Sequence, residues 1–178
     1  IQTDMDNRQM QAVFNETFAG LAFFYRDTHL ADELAAHYKV GQILKERGFT
    51  DMSYKGGGLK GNFRYLIASA FGKDLSVIDP NAAKKGHIML TADAFFKVLD
   101  IYKIGDKTQL LLLNIPPHAV ALFEKASTNI EADIVKKARE RFEQLAAAAP
   151  VEELQTPDWV KRTSPPIGMN FSGEMFYP

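Results

Sequence analysis

Between His118 and Ala149 apolar side chains recur every three or four residues: Val120, Phe123, Ala126 or Ser127, Ile130, Ile134, Ala138, Phe142 and Leu145. At 3.6 residues per turn those positions form one stripe of a helix, and nothing in a strand's two-residue period accounts for them. Acidic and basic residues alternate on the other face, around "EADIVKKARERFEQ". Pro116 and Pro117 suit a helix's first turn, and Pro150 ends the pattern. The spacing predicts one long helix, and a stripe of that length needs partner helices to cover it.

Similar spacing recurs upstream. Met10, Val13, Phe14, Phe18, Leu21, Phe24 and Tyr25 mark a first helix, closed by a turn at "RDTH". Leu30, Leu34, Tyr38, Ile43 and Leu44 mark a second, with Thr28 or Asp32 as cap and Gly48 as a left-handed stop. Leu59, Phe63, Leu66, Ile67, Ala70 and Phe71 mark a third. Leu90, Ala94, Phe95, Val98, Leu99 and Tyr102 mark another, capped by Thr91 and ending near Gly105. "TQLLLLNIPP" reads equally as a helical turn or a strand. The expected fold is all-α: an up-down four-helix bundle over 30–149, with an additional N-terminal helix or extension over 1–29.

Residues 150–178 carry five of the eight prolines, no helical stripe longer than one turn, and several large apolar side chains. A merely solvated tail would lack those groups. Prolines lower the entropy lost on fixing an extended segment, and aromatic side chains concentrate at interface centres. The tail is therefore expected to dock, with Trp159 on the body of the protein and Phe171, Met175, Phe176 and Tyr177 on a partner.

Composition narrows the function. The 178 residues carry a formal charge of −1, so no basic excess points to nucleic acid. Without cysteine, thiolate catalysis, disulfides and cysteine-ligated metals are excluded. The longest aliphatic run, Leu110 to Leu113, is far too short to span a bilayer. The chain begins at Ile1, as a processed or trimmed chain would.

The glycines of "KGGGLKGNFRYL" match the dinucleotide spacing at Gly56, Gly58 and Gly61, and Asp79 lies near the offset of a ribose-binding acid. That fingerprint needs a buried strand before the first glycine. Here the polar "RGFTDMSYK" precedes it, so the reading favoured is a loop that binds no nucleotide. Asn62 stands where a phosphate loop requires lysine. The histidines His29, His37, His87 and His118 are scattered and form no zinc motif. Glu131 and Asp133 do not share a helical face. These residues point to no catalytic group, no metal and no cofactor, and hence to a binding or structural subunit.

The order of the segments resembles the PsbQ family, extrinsic lumenal proteins of photosystem II with relatives in the chloroplast NDH complex. "ILKERGF" leads to "GNFRYLIASAFGKD", with Phe63, Arg64, Tyr65 and Leu66 at the matching place, followed by "AFFKVLDIYKIGDKTQ" and "PPHAVALFEKASTNIEADIV". The resemblance implies a non-enzyme in the chloroplast thylakoid lumen, holding the photosystem II core and other extrinsic subunits together without crossing the membrane. An NDH-complex subunit is the alternative within the family. A small helical adaptor or inhibitor is the alternative outside it, and a nucleotide-dependent enzyme is the third. The resemblance also implies that Gly56 to Gly58 delay the start of a bundle helix and that Gly61 permits close approach to a neighbour.

Overall fold

The computed structural model describes residues 7–125 and 128–178. Ala126 and Ser127, one step of the predicted long stripe, lie outside them. The architecture is a mixed α/β fold. Eight strands form one sheet: β1 (Ala22–Thr28), β2 (Ile43–Glu46), β3 (Thr50–Ser53), β4 (Phe63–Ser69), β5 (Lys73–Asp74), β6 (His87–Leu90), β7 (Ala94–Ile104) and β8 (Lys107–Ile115). Their spatial order is β2-β7-β8-β4-β1-β3-β6-β5. Among the described residues only the β4–β8 pair is parallel; the other neighbours run antiparallel. The helices are α1 (Asn7–Thr17), α2 (Asp32–Ala35), α3 (Pro80–Lys85), α4 (Val120–Lys125), α5 (Asn129–Leu145) and α6 (Pro157–Arg162).

This corrects the all-α expectation. The segment assigned to a four-helix bundle, 30–149, carries β2 to β8, and the segment 1–29 supplies β1, a central strand. The physical reason is that both faces of the middle of the sheet are covered. Phe63, Tyr65, Ile67, Leu110 and Leu112 face one core, together with Leu30, Tyr38 and Ile167. Leu66, Ala68, Leu111, Leu113 and Ile115 face a second core, closed by Phe14 of α1 and Phe18 just after it, Val120 and Phe123 of α4, and Ile134 and Ala138 of α5. A strand buried on both sides shows no polar alternation, so any subset of its apolar residues can imitate a helical stripe.

The expected C-terminal helix divides. A 3₁₀ turn at Pro117–Ala119 leads into α4, and α5 starts afresh at a capping box: Thr128 Oγ1 accepts from the Glu131 amide, and Glu131 Oε2 accepts from the Thr128 amide. Glu131 also takes Lys97 Nζ at 3.0 Å, tying the helix start to β7. The remaining predicted helix signals have other uses. Gly105, with a positive φ, forms the two-residue turn between β7 and β8. The α2 N-cap is Ala31, and neither Thr28 nor Asp32 caps it.

The glycines of the loop before β4 allow close packing. A Cβ at Gly56 would lie 2.2 Å from the Tyr25 ring, and one at Gly58 would lie 1.9 Å from the Ala148 carbonyl oxygen. The Gly58 amide donates to Ala149 O at 3.0 Å. The loop is thereby clamped between β1 and the chain leaving α5. Asp79 caps α3 through the Asn81 amide.

Candidate functional site

The sheet nearly parts between β1 and β3. These strands share a single register pair, Tyr25 with Ser53, whereas β1 and β4 pair over seven residues, Ala22 to Thr28. Five strands therefore lie on one side of the parting and three on the other. The C-terminal segment touches both sides, Pro165 against Arg26 of β1 and Arg162 near Asp51 of β3.

Arg26 of β1 stands at this parting and is buried. Its register partner on β4 is Tyr65, and both fall on the face that carries Phe24 and Ile67. One guanidinium nitrogen donates to Pro165 O at 2.7 Å and the other to Asp51 O, across the parting, at 3.3 Å. Nε has no hydrogen-bond partner, and among the described residues no carboxylate lies within ion-pair distance. Burial lowers the Arg26 pKa from its ordinary value, against the smaller opposing influence of Tyr65, Glu46, Asp51 and Tyr38. A buried cation served only by neutral carbonyls is incompletely compensated. Thr50, at the start of β3, likewise has a buried hydroxyl with no partner.

Two tyrosines extend this floor. Their hydroxyls lie 2.7 Å apart, Tyr38 donates to Ile167 O at 2.6 Å, and the Ile167 amide donates to Tyr65 at 3.2 Å. Burial pushes Tyr65 up to about 12 and holds Tyr38 well above its ordinary value, so both are neutral donors at ordinary pH. Glu46 of β2 accepts from the Gly168 amide at 2.8 Å.

Beyond the parting stands an acid–base pair. His87 Nε2 of β6 lies 2.7 Å from Asp51 Oδ1 of β3, and Arg162 approaches the same carboxylate oxygen at 3.8 Å. Trp159 packs edge-on against the His87 ring at 4.9 Å. His87, Trp159 and Arg162 line a cavity of about 170 Å³ together with Asp79 and Lys85. A larger hollow of about 520 Å³ lies beside Asp32, Asn62 and Lys103; it contains neither an unpartnered buried group nor an acid–base pair.

The predicted tail residues do not converge on one patch. Trp159, expected against a helical bundle, is buried beside His87 of β6. Phe171 is exposed, Met175 bridges Met169 and packs against the first core, Phe176 lies against the Arg47 guanidinium, and Tyr177 packs edge-on against Phe95. Sequence reasoning missed Arg26, Asp51 and Tyr65, and considered His87 only as a zinc ligand. The available signal was the aromatic-rich "FFYRDT", in which Phe24 and Arg26 share a face if the segment is a strand.

No protein-family profile matches the chain, and no curated protein matches it. Several solved structures do. The ADP-ribosyltransferase HopU1 of Pseudomonas syringae is 18% identical with a TM-score of 0.46, over 53% of this chain and 45% of that one. Exoenzyme S from Pseudomonas aeruginosa, solved with human 14-3-3 protein beta and Carba-NAD, is 18% identical with a TM-score of 0.46, over 68% and 67%. The Vis toxin, an ADP-ribosyltransferase from Vibrio splendidus, is 16% identical with a TM-score of 0.44, over 64% and 57%. The chain spans 44–58% of the first three matched structures. At these scores the likeness carries nothing about which reaction this chain performs.

The sheet corrects the resemblance to the PsbQ family. Its motifs were packing patterns of successive helices, and those segments are strands here. The expectation of a non-catalytic photosystem II or NDH-complex subunit falls with that pattern, as do the thylakoid-lumen location and the helical adaptor. The non-enzyme expectation, which the resemblance implied, rested on the same helical pattern and falls with it.

Proposed function

We propose that the chain is an enzyme acting on a diphosphate-bearing nucleotide in the parting between β1 and β3. Transfer of ADP-ribose from NAD is the reaction to be tested, the activity by which matched proteins are described. The observation that carries the reading is Arg26: a buried guanidinium with an unpartnered Nε and no carboxylate partner among the described residues. A charge kept in that state is costly to the fold, and a phosphate oxygen would meet both its charge and its free donor.

The residues present fit such a group. Arg26 offers the cation, Thr50 an unused hydroxyl, and Tyr38 and Tyr65 neutral hydroxyl donors. Bound there, NAD would supply the ADP-ribosyl group and release nicotinamide. His87, held by Asp51, would take the proton that an acceptor hydroxyl or amine loses as its bond to the ribosyl carbon forms. Asp51 holds the ring and would stabilise the imidazolium that results.

Calorimetric titration with NAD and with inorganic pyrophosphate tests this reading. Both should bind, compete with each other, and be lost on Arg26→Met, while the variant's melting temperature stays at or above that of the parent. Absence of binding both in the parent chain and in Met169→Ala, which loosens the C-terminal segment, refutes it, as does binding that survives Arg26→Met.

A further inference from the structure

The groups that line the parting are already engaged, and by the chain itself. Pro165 O occupies Arg26, Ile167 O and N occupy Tyr38 and Tyr65, and the Gly168 amide occupies Glu46. On the far side, Trp159 covers His87, and Arg162 lies near Asp51. One stretch, Pro157 to Gly168, thus reaches every polar group assigned to the site except the Thr50 hydroxyl. It does so mainly through backbone carbonyls and amides, which any sequence could present.

The anchoring is apolar. Ile167 and Met169 are buried in the first core, and Gly168 between them has a φ of +81° with Leu44 Cβ 3.0 Å from where a side chain would begin. Apolar anchoring beside polar mimicry is the arrangement of an inhibitory segment, because the two can be altered separately. The match is also imperfect: Arg26 Nε remains unserved although Pro165 O lies against the same guanidinium, and the Thr50 hydroxyl on the neighbouring strand has no partner. A segment selected only to complete the fold would be expected to satisfy them.

We infer that Pro157–Gly168 is an internal strap that occupies the ligand site, so that strap seating and anion binding exclude each other. This rests on the reading of Arg26 as an anion-binding residue. The strap must leave Arg26, and the Ile167 and Gly168 amides must lose their acceptors, before a diphosphate can enter. The resting chain is therefore a low-affinity form. Activity rises when something else holds the strap away.

The test uses the full chain and inorganic pyrophosphate. Hydrogen exchange at the Ile167 and Gly168 amides is measured with and without saturating pyrophosphate, and affinity is compared among the parent, Met169→Ala and Gly168→Ala. The inference expects the two amides to exchange at least tenfold faster with pyrophosphate bound. It also expects each loosening variant to bind at least tenfold more tightly, with binding still lost on Arg26→Met. Amides that stay equally or better protected under saturation overturn the strap, even if both variants fail to fold. So does unchanged or weaker binding by folded variants. In either case Arg26-dependent binding leaves the proposed function standing. Absence of pyrophosphate binding in the parent and in the loosened variants removes both readings.

Discussion

The four consecutive leucines Leu110 to Leu113 give a direct test of the fold. All four are fully buried, Leu110 and Leu112 in one core and Leu111 and Leu113 in the other. Truncating each to alanine removes three carbons, or about 2.4 kcal/mol of transfer free energy at ~0.8 kcal/mol per methylene. The vacated space adds to this, because β8 is flanked by β4 and β7 and cannot collapse freely, giving a total of about 3–5 kcal/mol at each position. Urea denaturation followed by circular dichroism reads the loss. With a slope of roughly 2–3 kcal/mol per molar urea, each variant should shift the midpoint by about 1–2 M. On a helix, four successive residues span more than one face, and at least one would be inexpensive to truncate. A loss below about 1 kcal/mol at either alternate pair would show that one side of β8 is uncovered and refute the two-core account.

Two further predictions concern the site and its surroundings. Gly58→Ala should destabilise the chain by roughly 1–3 kcal/mol in the same assay, since its new methyl would overlap the Ala148 carbonyl, and should leave pyrophosphate affinity unchanged; a neutral substitution would show that the loop is not clamped. Tyr65 is raised by burial to about 12 in the folded chain against 10.0 unfolded, so its contribution is fully present below pH 10 and fades as pH climbs toward 12. Relative to Tyr65→Phe, the parent should therefore lose roughly 2–3 kcal/mol over that window, and parallel stability curves for the two would contradict the burial argument.

Parts of this molecule could be read from the sequence because only one side of them is covered. Ile134, Ala138 and Phe142 line the buried face of α5, while its other face is charged and solvated, so the 3.6-residue period survives. Nothing of that kind marks β4, where all seven residues of "FRYLIAS" are buried, including Arg64 through its two bonds to Asp27. Phe63, Leu66 and Ile67 happen to fall at helical spacing while facing two different cores. β7 misleads similarly: apart from Lys103 its residues are buried or only partly exposed, and a register shift between Val98 and Asp100 breaks the two-residue alternation. The site was still less legible. Arg26 and Asp51 are distant in sequence and meet only because β1 and β3 part after one register pair. The sequence places Arg26 at the start of "RDTH", which reads as a turn, and only a strand reading of "FFYRDT" puts its charge on the same face as Phe24.

The central claim is that Arg26 serves a ligand and not the fold. Nicotinamide release from NAD, followed by chromatography for the parent, Met169→Ala and Arg26→Met, tests it most directly. The account predicts slow release by the parent, release at least tenfold faster for Met169→Ala, and none for Arg26→Met, although that variant melts no lower than the parent. Release that persists in a well-folded Arg26→Met chain would contradict it, as would an Arg26→Met chain that unfolds while the parent and Met169→Ala leave NAD intact.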